Sequence, residues 1–327
     1  MPKVSVIIPA YNAEMYIGQA FDSLINQTYN DWECIVVNDA STDRTLSVIE
    51  EYANRDPRIK FKTLAKNTGS AKAPRDTAVT MACSEWILAL DSDDKLAADT
   101  IEKLMARQLE TNADMVLLKL VLTDKDGNTK YSSIPAADFD FSQIMTGLKA
   151  AKLTIGEWVI PGNGLIKKKL WDSRHPIDNF MNADEYDTRQ MMIATEKVAF
   201  VDAVYYYRQI PSSITRAFSI KLFDTLYINK LLYELFKQTH DTEDKTVQLM
   251  KIVQWHDIIH KRLLLLRNLN KFSNDERRSL NVLIEESYKT IENRMTMHKS
   301  FVKNILLGSS YSLFKLTTYF ASKLRKA

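Results

Sequence analysis

Short apolar stretches alternate with amphipathic stretches through the first part of the chain. The apolar stretches predict strands at Val4–Ile8, Glu33–Asn38, Ile59–Thr63 and Trp86–Leu90. Helices are predicted at residues 15–26 and 44–53, where apolar side chains recur at helical spacing. Strands that alternate with helices in this way are typical of an α/β fold. We expect a doubly wound, mainly parallel sheet flanked by helices.

The pattern changes after about Ala217. From there on, apolar residues recur at helical spacing without a strand signal, and they predict helices at Lys221–Gln238, Thr246–Asn268 and Asp275–Glu292. We therefore expect two domains, an α/β domain over residues 1–217 and an α-helical C-terminal region over residues 218–327.

The last stretch, from Phe301 to Lys326, mixes apolar residues with lysines. Basic amphipathic helices lie on anionic membrane surfaces or pack against partner helices. The sequence therefore leaves two interpretations open for this C-terminal helix: peripheral contact with the inner face of the plasma membrane, or ordinary packing on the protein.

Composition narrows the class of protein. Of the 327 residues, 45% are hydrophobic and 26% charged, as in ordinary folded soluble proteins, and the net charge of +3 is too small to indicate nucleic acid as a partner. Cys34 and Cys83 lie in or beside apolar strands and predict reduced core residues of a cytosolic protein. No signal peptide and no run of 18 apolar residues is found, so we expect a cytoplasmic protein.

Three carboxylates, Asp91, Asp93 and Asp94, directly follow the apolar strand Trp86–Leu90. Like charges at this spacing repel one another, so a compensating cation is expected. Mg²⁺ and Mn²⁺ prefer oxygen ligands, and Mg²⁺ is usually held by one or two carboxylates together with substrate phosphates. Asp91 and Asp93 therefore predict an Asp-x-Asp site for a metal-bound diphosphate.

Two other interpretations of this acidic cluster compete. The carboxylates could cap the following helix, which is predicted from Asp99 to Thr111. An EF-hand is excluded, because Leu96 stands where the calcium loop requires Gly and Lys95 replaces an oxygen ligand.

Four residues that suit a nucleotide are expected just after predicted strands, namely Tyr11, Asp39, Arg75 and Asp91. Ligands of α/β sheets bind beyond the carboxyl ends of the strands, so these side chains should converge on one edge. Taken singly, Tyr11 could be a surface aromatic, Asp39 a helix cap and Arg75 a solvated charge. Together, an aromatic ring, a carboxylate and an arginine suit a nucleotide diphosphate.

The motifs that contain these residues resemble glycosyltransferase family 2. They are Val4–Asn12, Val37–Asp43, Asn67–Gly69, Ala73–Asp76 and Leu90–Asp94, in the family's order and at its usual spacing. The resemblance covers roughly residues 1–215. It implies the GT-A fold and an inverting, metal-dependent enzyme that uses a nucleotide sugar.

The resemblance also implies roles for individual residues. The nucleotide-binding set would be Pro9, Tyr11, Asp39, Arg75 and Asp91, with Tyr11 and Asp39 at the base and Asp91 at the ribose. Asp93 would hold Mn²⁺ or Mg²⁺. Asp76 stands where the family usually has Asn after the arginine, which leaves its role open.

A second acidic pair, Asp184 and Glu185, opens a helix predicted to reach about Thr195. First-turn carboxylates often do no more than stabilise the helix dipole. The family, however, carries an acidic pair at the start of such a helix, and its second member is the general base. The resemblance therefore assigns the base to Glu185, with Asp184 orienting the helix start. The stretches Tyr205–Gln209 and Ser212–Arg216 resemble the segment that closes the family's catalytic domain.

We therefore expect residues 1–122 to bind the nucleotide sugar and residues 123–217 to bind the acceptor. The donor is expected to be UDP-linked, and the acceptor a hydroxyl of a bacterial cell-surface glycan, free or lipid-linked. The Gln-x-x-Arg-Trp motif of processive synthases is absent, which favours the addition of single sugars. A sugar nucleotidyltransferase is the alternative enzyme, although residues 9–12 lack the Gly-rich phosphate loop that it needs. A non-catalytic glycan-binding relative is the other alternative.

Overall fold

The computed structural model describes residues 3–156, 158–175, 177–178, 180–210, 218–239, 245–291 and 301–324. The chain divides into two compact units, residues 1–217 and 218–327. The predicted closing segment Ser212–Arg216 and the tail residues Arg325 and Lys326 lie outside the described residues.

The first unit combines a sheet with helices. Its strands are β1 (Val4–Ala10), β2 (Trp32–Asn38), β3 (Ile59–Thr63), β4 (Trp86–Ala89), β5 (Lys95–Leu96), β6 (Met115–Thr123), β7 (Thr129–Ile134), β8 (Ile144–Met145), β9 (Gly164–Lys167) and β10 (Val198–Arg208). Its helices are α1 (Ile17–Ile25), α2 (Thr45–Arg55), α3 (Lys72–Met81), α4 (Thr100–Thr111), α5 (Gly147–Lys152), α6 (Lys168–Asp172) and α7 (Ala183–Ala194).

The strands form one mixed sheet in the order β3-β2-β1-β4-β9-β6-β10-β5, with β7 beside β6 and β8 beside β10. The four strands from β3 to β4 are parallel, while β9 runs antiparallel to both of its neighbours. The predicted α/β sheet flanked by helices is confirmed. Every residue of β1 and β2 is buried, which explains why these strands read as continuous apolar runs.

Helix α1 packs its apolar stripe against this core. Ile17, Ala20, Phe21 and Leu24 are all fully buried. Burying one large apolar side chain contributes about 1.5–3 kcal/mol, so this face fixes the helix on the sheet.

The two cysteines differ in environment. Cys34 is fully buried in β2, and burial raises the pKa of its thiol. Cys83 is exposed, so the prediction that both are core residues is right for Cys34 and wrong for Cys83. The reason is local, since Cys83 lies between α3 and β4 rather than within a strand.

The described residues of the second unit form helices and the short connections between them. Its helices are α8 (Asp224–Thr239), α9 (Lys245–Arg267), α10 (Asn274–Thr290), α11 (Phe301–Gly308) and α12 (Tyr311–Leu324), with short 3₁₀ turns at Ile220–Phe223 and Leu269–Lys271. Trp255, Tyr288 and Phe314 pack together in its core.

The predicted C-terminal helix is divided into two. Helix α11 ends at Gly308, and the Ser310 hydroxyl accepts a hydrogen bond from the Leu313 N–H at the start of α12. A Ser side chain that accepts at a helix start is a typical N-terminal cap, which explains the break. Among the described residues, no helix combines the length and the apolar character that a membrane crossing requires.

Candidate active site

The acidic turn after β4 is fixed by two residues of β10. The Tyr205 hydroxyl donates to Asp94 Oδ2 at 2.7 Å and accepts from the Asp91 N–H at 3.0 Å. The Arg208 N–H donates to Asp94 Oδ1 at 2.7 Å, and Arg208 Nε donates to the Asp93 carbonyl at 2.8 Å. Asp94 is 1% exposed, so its role is to hold the turn.

The alternative that these carboxylates cap α4 is wrong. Helix α4 begins at Thr100, and its N-cap is Asp99. The carboxylate of Asp94 is occupied by Tyr205 and Arg208 instead. Strand β5 pairs with β10 between the turn and the helix, which separates the two in the fold.

The turn carries a surplus of negative charge. Burial and the neighbouring Asp91 raise the pKa of Asp93 to about 6. Burial, Asp91 and Asp93 likewise raise the pKa of Asp94. A divalent cation would relieve this repulsion.

The side chains of the acidic turn supply only some of the oxygen ligands that a hard cation such as Mg²⁺ needs. Asp91 and Asp93 offer carboxylate oxygens, but within the described ranges no group of three or more His, Cys, Asp or Glu side chains could hold a metal. Mg²⁺ is usually bound through one or two carboxylates, with substrate phosphates completing its coordination. The residues therefore suit a metal that arrives with a diphosphate.

Arg75 lies beside this turn. Its Nη2 is 3.3 Å from Asp91 Oδ1. Burial alone would lower the pKa of Arg75, but the negative charges of Asp91, Asp184 and Asp187 outweigh it and raise that pKa. Arg75 was expected just after a strand, whereas it lies inside α3, which packs on β1 and β2. The structure thus places Arg75 in contact with Asp91 and within the electrostatic influence of Asp184.

Asp39 anchors a neighbouring loop. It is 2% exposed, and its carboxylate accepts hydrogen bonds from Thr68 N at 2.9 Å, Thr68 Oγ1 at 2.9 Å and Asn67 Nδ2 at 3.0 Å. Thr68 N also contacts the second oxygen, Oδ2, at 3.1 Å, so within the described part of the chain Oδ1 shares only the Thr68 N–H and can accept one further donor. Pro9 is buried at the end of β1, and Tyr11 follows it with 38% of its surface exposed.

The acidic pair on α7 is asymmetric. Glu185 pairs with Arg189 at 3.1 Å and accepts from Asn182 Nδ2 at 3.3 Å. Arg189 is itself held by Thr154, through hydrogen bonds of 2.9 and 2.7 Å. Asp184 is exposed in the first turn of the helix. Glu185 thus has a structural partner, while Asp184 presents the more accessible carboxylate.

Sequence reasoning missed the residues that hold the acidic turn. The sequence indicates only that Tyr205 and Arg208 belong to a stretch that resembles the end of the family's catalytic domain, whereas in the structure Tyr205 is fully buried and Arg208 is 4% exposed. More than 100 residues separate them from the turn that they support. A Tyr and an Arg near the end of an apolar strand indicate that polar partners are needed, but not which residues these partners are.

The chain is similar to known proteins in sequence and in fold. The sequence model described as "Glycosyl transferase family 2" matches residues 5–172. Glycosyltransferase GlyG of Streptococcus pneumoniae is 27% identical over 221 residues, which cover 65% of this chain and 73% of GlyG.

A second relative is the poly(ribitol-phosphate) beta-N-acetylglucosaminyltransferase TarP of Staphylococcus aureus. It is 36% identical over 202 residues, which cover 58% of this chain. This chain spans 61% of the length of TarP.

Among solved structures, the chain is similar to residues 1–349 of S. aureus TarS in complex with UDP-GlcNAc. The TM-score is 0.68 at 19% sequence identity, over 99% of this chain and 91% of that one. At this identity the likeness establishes a shared fold.

Proposed function

The chain belongs to glycosyltransferase family 2, and we propose that it transfers a sugar from a UDP-linked donor to a hydroxyl of a bacterial cell-surface glycan. The observation that carries the proposal is the position of Arg75, which lies 3.3 Å from Asp91 and whose pKa is raised by the charges of Asp91 and of Asp184 on another helix. TarS binds UDP-GlcNAc, which supports a UDP-linked donor, and TarP is a poly(ribitol-phosphate) N-acetylglucosaminyltransferase, which supports a polymer as the acceptor.

We assign the donor to the ends of β1, β2 and β4. Tyr11 offers an exposed ring on which a base can stack, and Asp39 keeps capacity for one donor group of that base. Pro9 shapes the end of β1 beside them. Arg75 would pair with the diphosphate and Asp91 with the ribose.

Asp93 would hold Mn²⁺ or Mg²⁺, as is typical of the family, with Asp91 beside it. When bound, the ion neutralises negative charge on the departing diphosphate. Arg75, which is held in place by its contact with Asp91, would add a second positive charge beside the diphosphate.

We propose Asp184, rather than the sequence-based choice Glu185, as the general base. The acceptor oxygen attacks the anomeric carbon while the bond from that carbon to the diphosphate oxygen breaks. The proton of the acceptor hydroxyl moves to Asp184, and the electron pair of the broken bond leaves with UDP. A single displacement inverts the anomeric configuration. Glu185 would keep its contact with Arg189 and fix the helix start.

The domain roles follow from this assignment. Residues 1–217 would form the catalytic domain, with the donor in residues 1–122 and the acceptor in residues 123–217.

We propose that the helical unit, residues 218–327, makes a peripheral contact with the inner face of the plasma membrane. In α12, Leu316, Tyr319 and Phe320 are 46–57% exposed, and Lys315 and Lys323 lie near them in sequence. Replacing Leu316 and Phe320 by Ser should abolish sedimentation with anionic vesicles, and unchanged sedimentation would contradict the contact.

The experiment that tests the function is a screen of nucleotide sugars for UDP release, beginning with UDP-GlcNAc. We expect hydrolysis that depends on Mn²⁺ or Mg²⁺ and is lost on chelation. Binding of glycan without turnover of any nucleotide sugar would instead support a non-catalytic relative. Formation of a nucleotide sugar from a sugar phosphate would support a nucleotidyltransferase.

A further inference from the structure

Four charged side chains beside the proposed site form a cluster that the donor and base assignments leave unused. We call Lys72, Asp76, Arg174 and Asp187 the buried charge cluster. Lys72 Nζ is 2.6 Å from Asp76 Oδ2 and 3.3 Å from Asp187 Oδ2. Arg174 Nη2 is 2.7 Å from Asp76 Oδ1, and Arg174 Nη1 pairs with Asp187 Oδ2. Each carboxylate therefore contacts both cations.

The cluster is withdrawn from solvent. The side chains of Lys72, Arg174 and Asp187 are 9%, 10% and 6% exposed, and that of Asp76 is 36% exposed. Two cations and two anions compensate one another in charge. Removing one member would leave an unpaired buried charge, which is far more costly than losing an exposed pair.

The cluster joins two helices that carry proposed site residues. Lys72 and Asp76 lie on α3, on either side of Arg75, and α3 packs on β1 and β2. Asp187 lies on α7, three residues after Asp184, and α7 packs on α5 and α6. Arg174 follows α6 and contacts a carboxylate of each helix.

The cluster also accounts for the departure at position 76. An Asn there would meet Lys72 and Arg174 without a charge of its own, leaving Asp187 as the only cluster anion for both cations. Asp76 restores the balance, with burial raising the pKa of its carboxyl and the two cations lowering it below its ordinary value. Aspartate at position 76 thus balances the positive charges of Lys72 and Arg174.

We propose that Lys72, Asp76, Arg174 and Asp187 are positioning residues, which hold the Asp184 carboxylate against the donor by tying α7 to α3. The inference rests on the proposed function, in which Asp184 is the base and Arg75 binds the diphosphate. The physical reason is the steep dependence of catalysis on placement, since a misplacement of about 1 Å can cost on the order of 10²-fold in rate.

The first test is Arg174→Gln, measured on the full chain by the rate of UDP-GlcNAc hydrolysis and by the dissociation constant of UDP. We expect kcat to fall on the order of 10- to 100-fold, because the base is displaced. The affinity for UDP should change by no more than about twofold, because its binding residues rest on β1, β2, β4 and α3.

Arg58→Gln is a matched control in the same unit. Arg58 pairs with Asp56 and stacks on Trp32 at 3.8 Å, much as Arg174 pairs with Asp187 and stacks on Trp171 at 4.8 Å. If the buried charge cluster were merely structural, both variants would lower the melting temperature and neither would change kcat. That result would overturn the proposal.

Asp76→Asn and Asp76→Leu provide the conservative comparison. Asn still offers an oxygen to Arg174, so it should retain more of the hydrolysis rate than Leu, which offers none. Equal rates in the parent, Asn and Leu variants would contradict a positioning role for Asp76.

Hydrogen exchange supplies a readout that needs no turnover. In Arg174→Gln we expect faster amide exchange over residues 183–194, with exchange over residues 72–81 unchanged. Unchanged exchange in α7 would overturn the inference even for a protein that does not hydrolyse UDP-GlcNAc. By contrast, absence of hydrolysis and of UDP binding in the parent protein would count against the proposed function alone.

Discussion

The two sides of the candidate site are held in place by different means. On the donor side, Pro9, Tyr11, Asp39 and Asp91 lie at or just beyond the ends of β1, β2 and β4, which run parallel in the sheet and of which β1 and β2 are fully buried. On the base side, Asp184 stands on a helix joined to the donor side through ion pairs between side chains. Backbone hydrogen bonds between these strands fix the donor-side residues. The position of Asp184 relative to them depends on the ion pairs of a few side chains. Single substitutions in those pairs should therefore change catalysis without changing donor binding.

The largest effect is expected on the base side. Asp184→Asn keeps the size of the side chain but cannot take the acceptor proton, so hydrolysis of UDP-GlcNAc should fall by on the order of 10²- to 10⁴-fold. Glu185→Gln should cost much less, because Gln can still accept from Arg189. UDP affinity should be the same in both variants and in the parent. The opposite ranking of the two variants would return the base to Glu185.

A smaller effect is expected where β10 supports the donor side. Tyr205→Phe removes the donor to Asp94 and the acceptor of the Asp91 N–H. A buried group left unsatisfied costs about 1–3 kcal/mol, which lowers the melting temperature by roughly 2–12 °C. Tyr206→Phe, which keeps the ring near Lys95, is the control. Equal melting temperatures of the two variants would show that Tyr205 does not stabilise the turn.

The smallest effect is expected within the sheet itself, as a function of pH. Glu33 accepts from Ser5 at 2.7 Å and from the Cys83 N–H at 2.8 Å, and it pairs with Lys60. Burial raises the pKa of Glu33, but these contacts outweigh it and hold that pKa below its ordinary value. Its stabilisation should therefore be fully present above pH 4.5 and be lost as the pH falls below that value. Urea unfolding should show a weaker acid dependence for Glu33→Gln, and parallel curves would contradict this.

The difference between the donor side, which rests on strands, and the base side, which rests on side-chain ion pairs, also explains which features the sequence predicts well. Continuous apolar runs such as Val4–Ile8 follow from burial on both faces of a strand, so the sheet and the edge with Asp39 and Asp91 could be inferred locally. The contacts of Tyr205 with Asp94 and of Arg174 with Asp76 join residues 111 and 98 positions apart. Such pairs leave no periodic signal, so the supports of the site could not be predicted.

The sequence carries a local signal on the base side as well. Glu185 precedes Arg189 by four residues on a predicted helix, a spacing that favours an ion pair, and the structure contains that pair. Alignment of the acidic motif alone favoured Glu185 as the base. That ion pair is one reason for our proposal that Asp184, the more exposed carboxylate, is the base, and the comparison of Asp184→Asn with Glu185→Gln tests it against the sequence-based assignment.

The most direct test of the account is calorimetric titration of UDP into the protein with Mn²⁺ and with a chelator. We predict that Mn²⁺ strengthens UDP binding at least tenfold, about 1.4 kcal/mol, and that Asp93→Asn removes this difference. Asp99→Asn, an exposed acid at the N-cap of α4, should bind like the parent. UDP binding that is equally tight with and without Mn²⁺, or in Asp93→Asn and the parent, would contradict the assignment of the acidic turn.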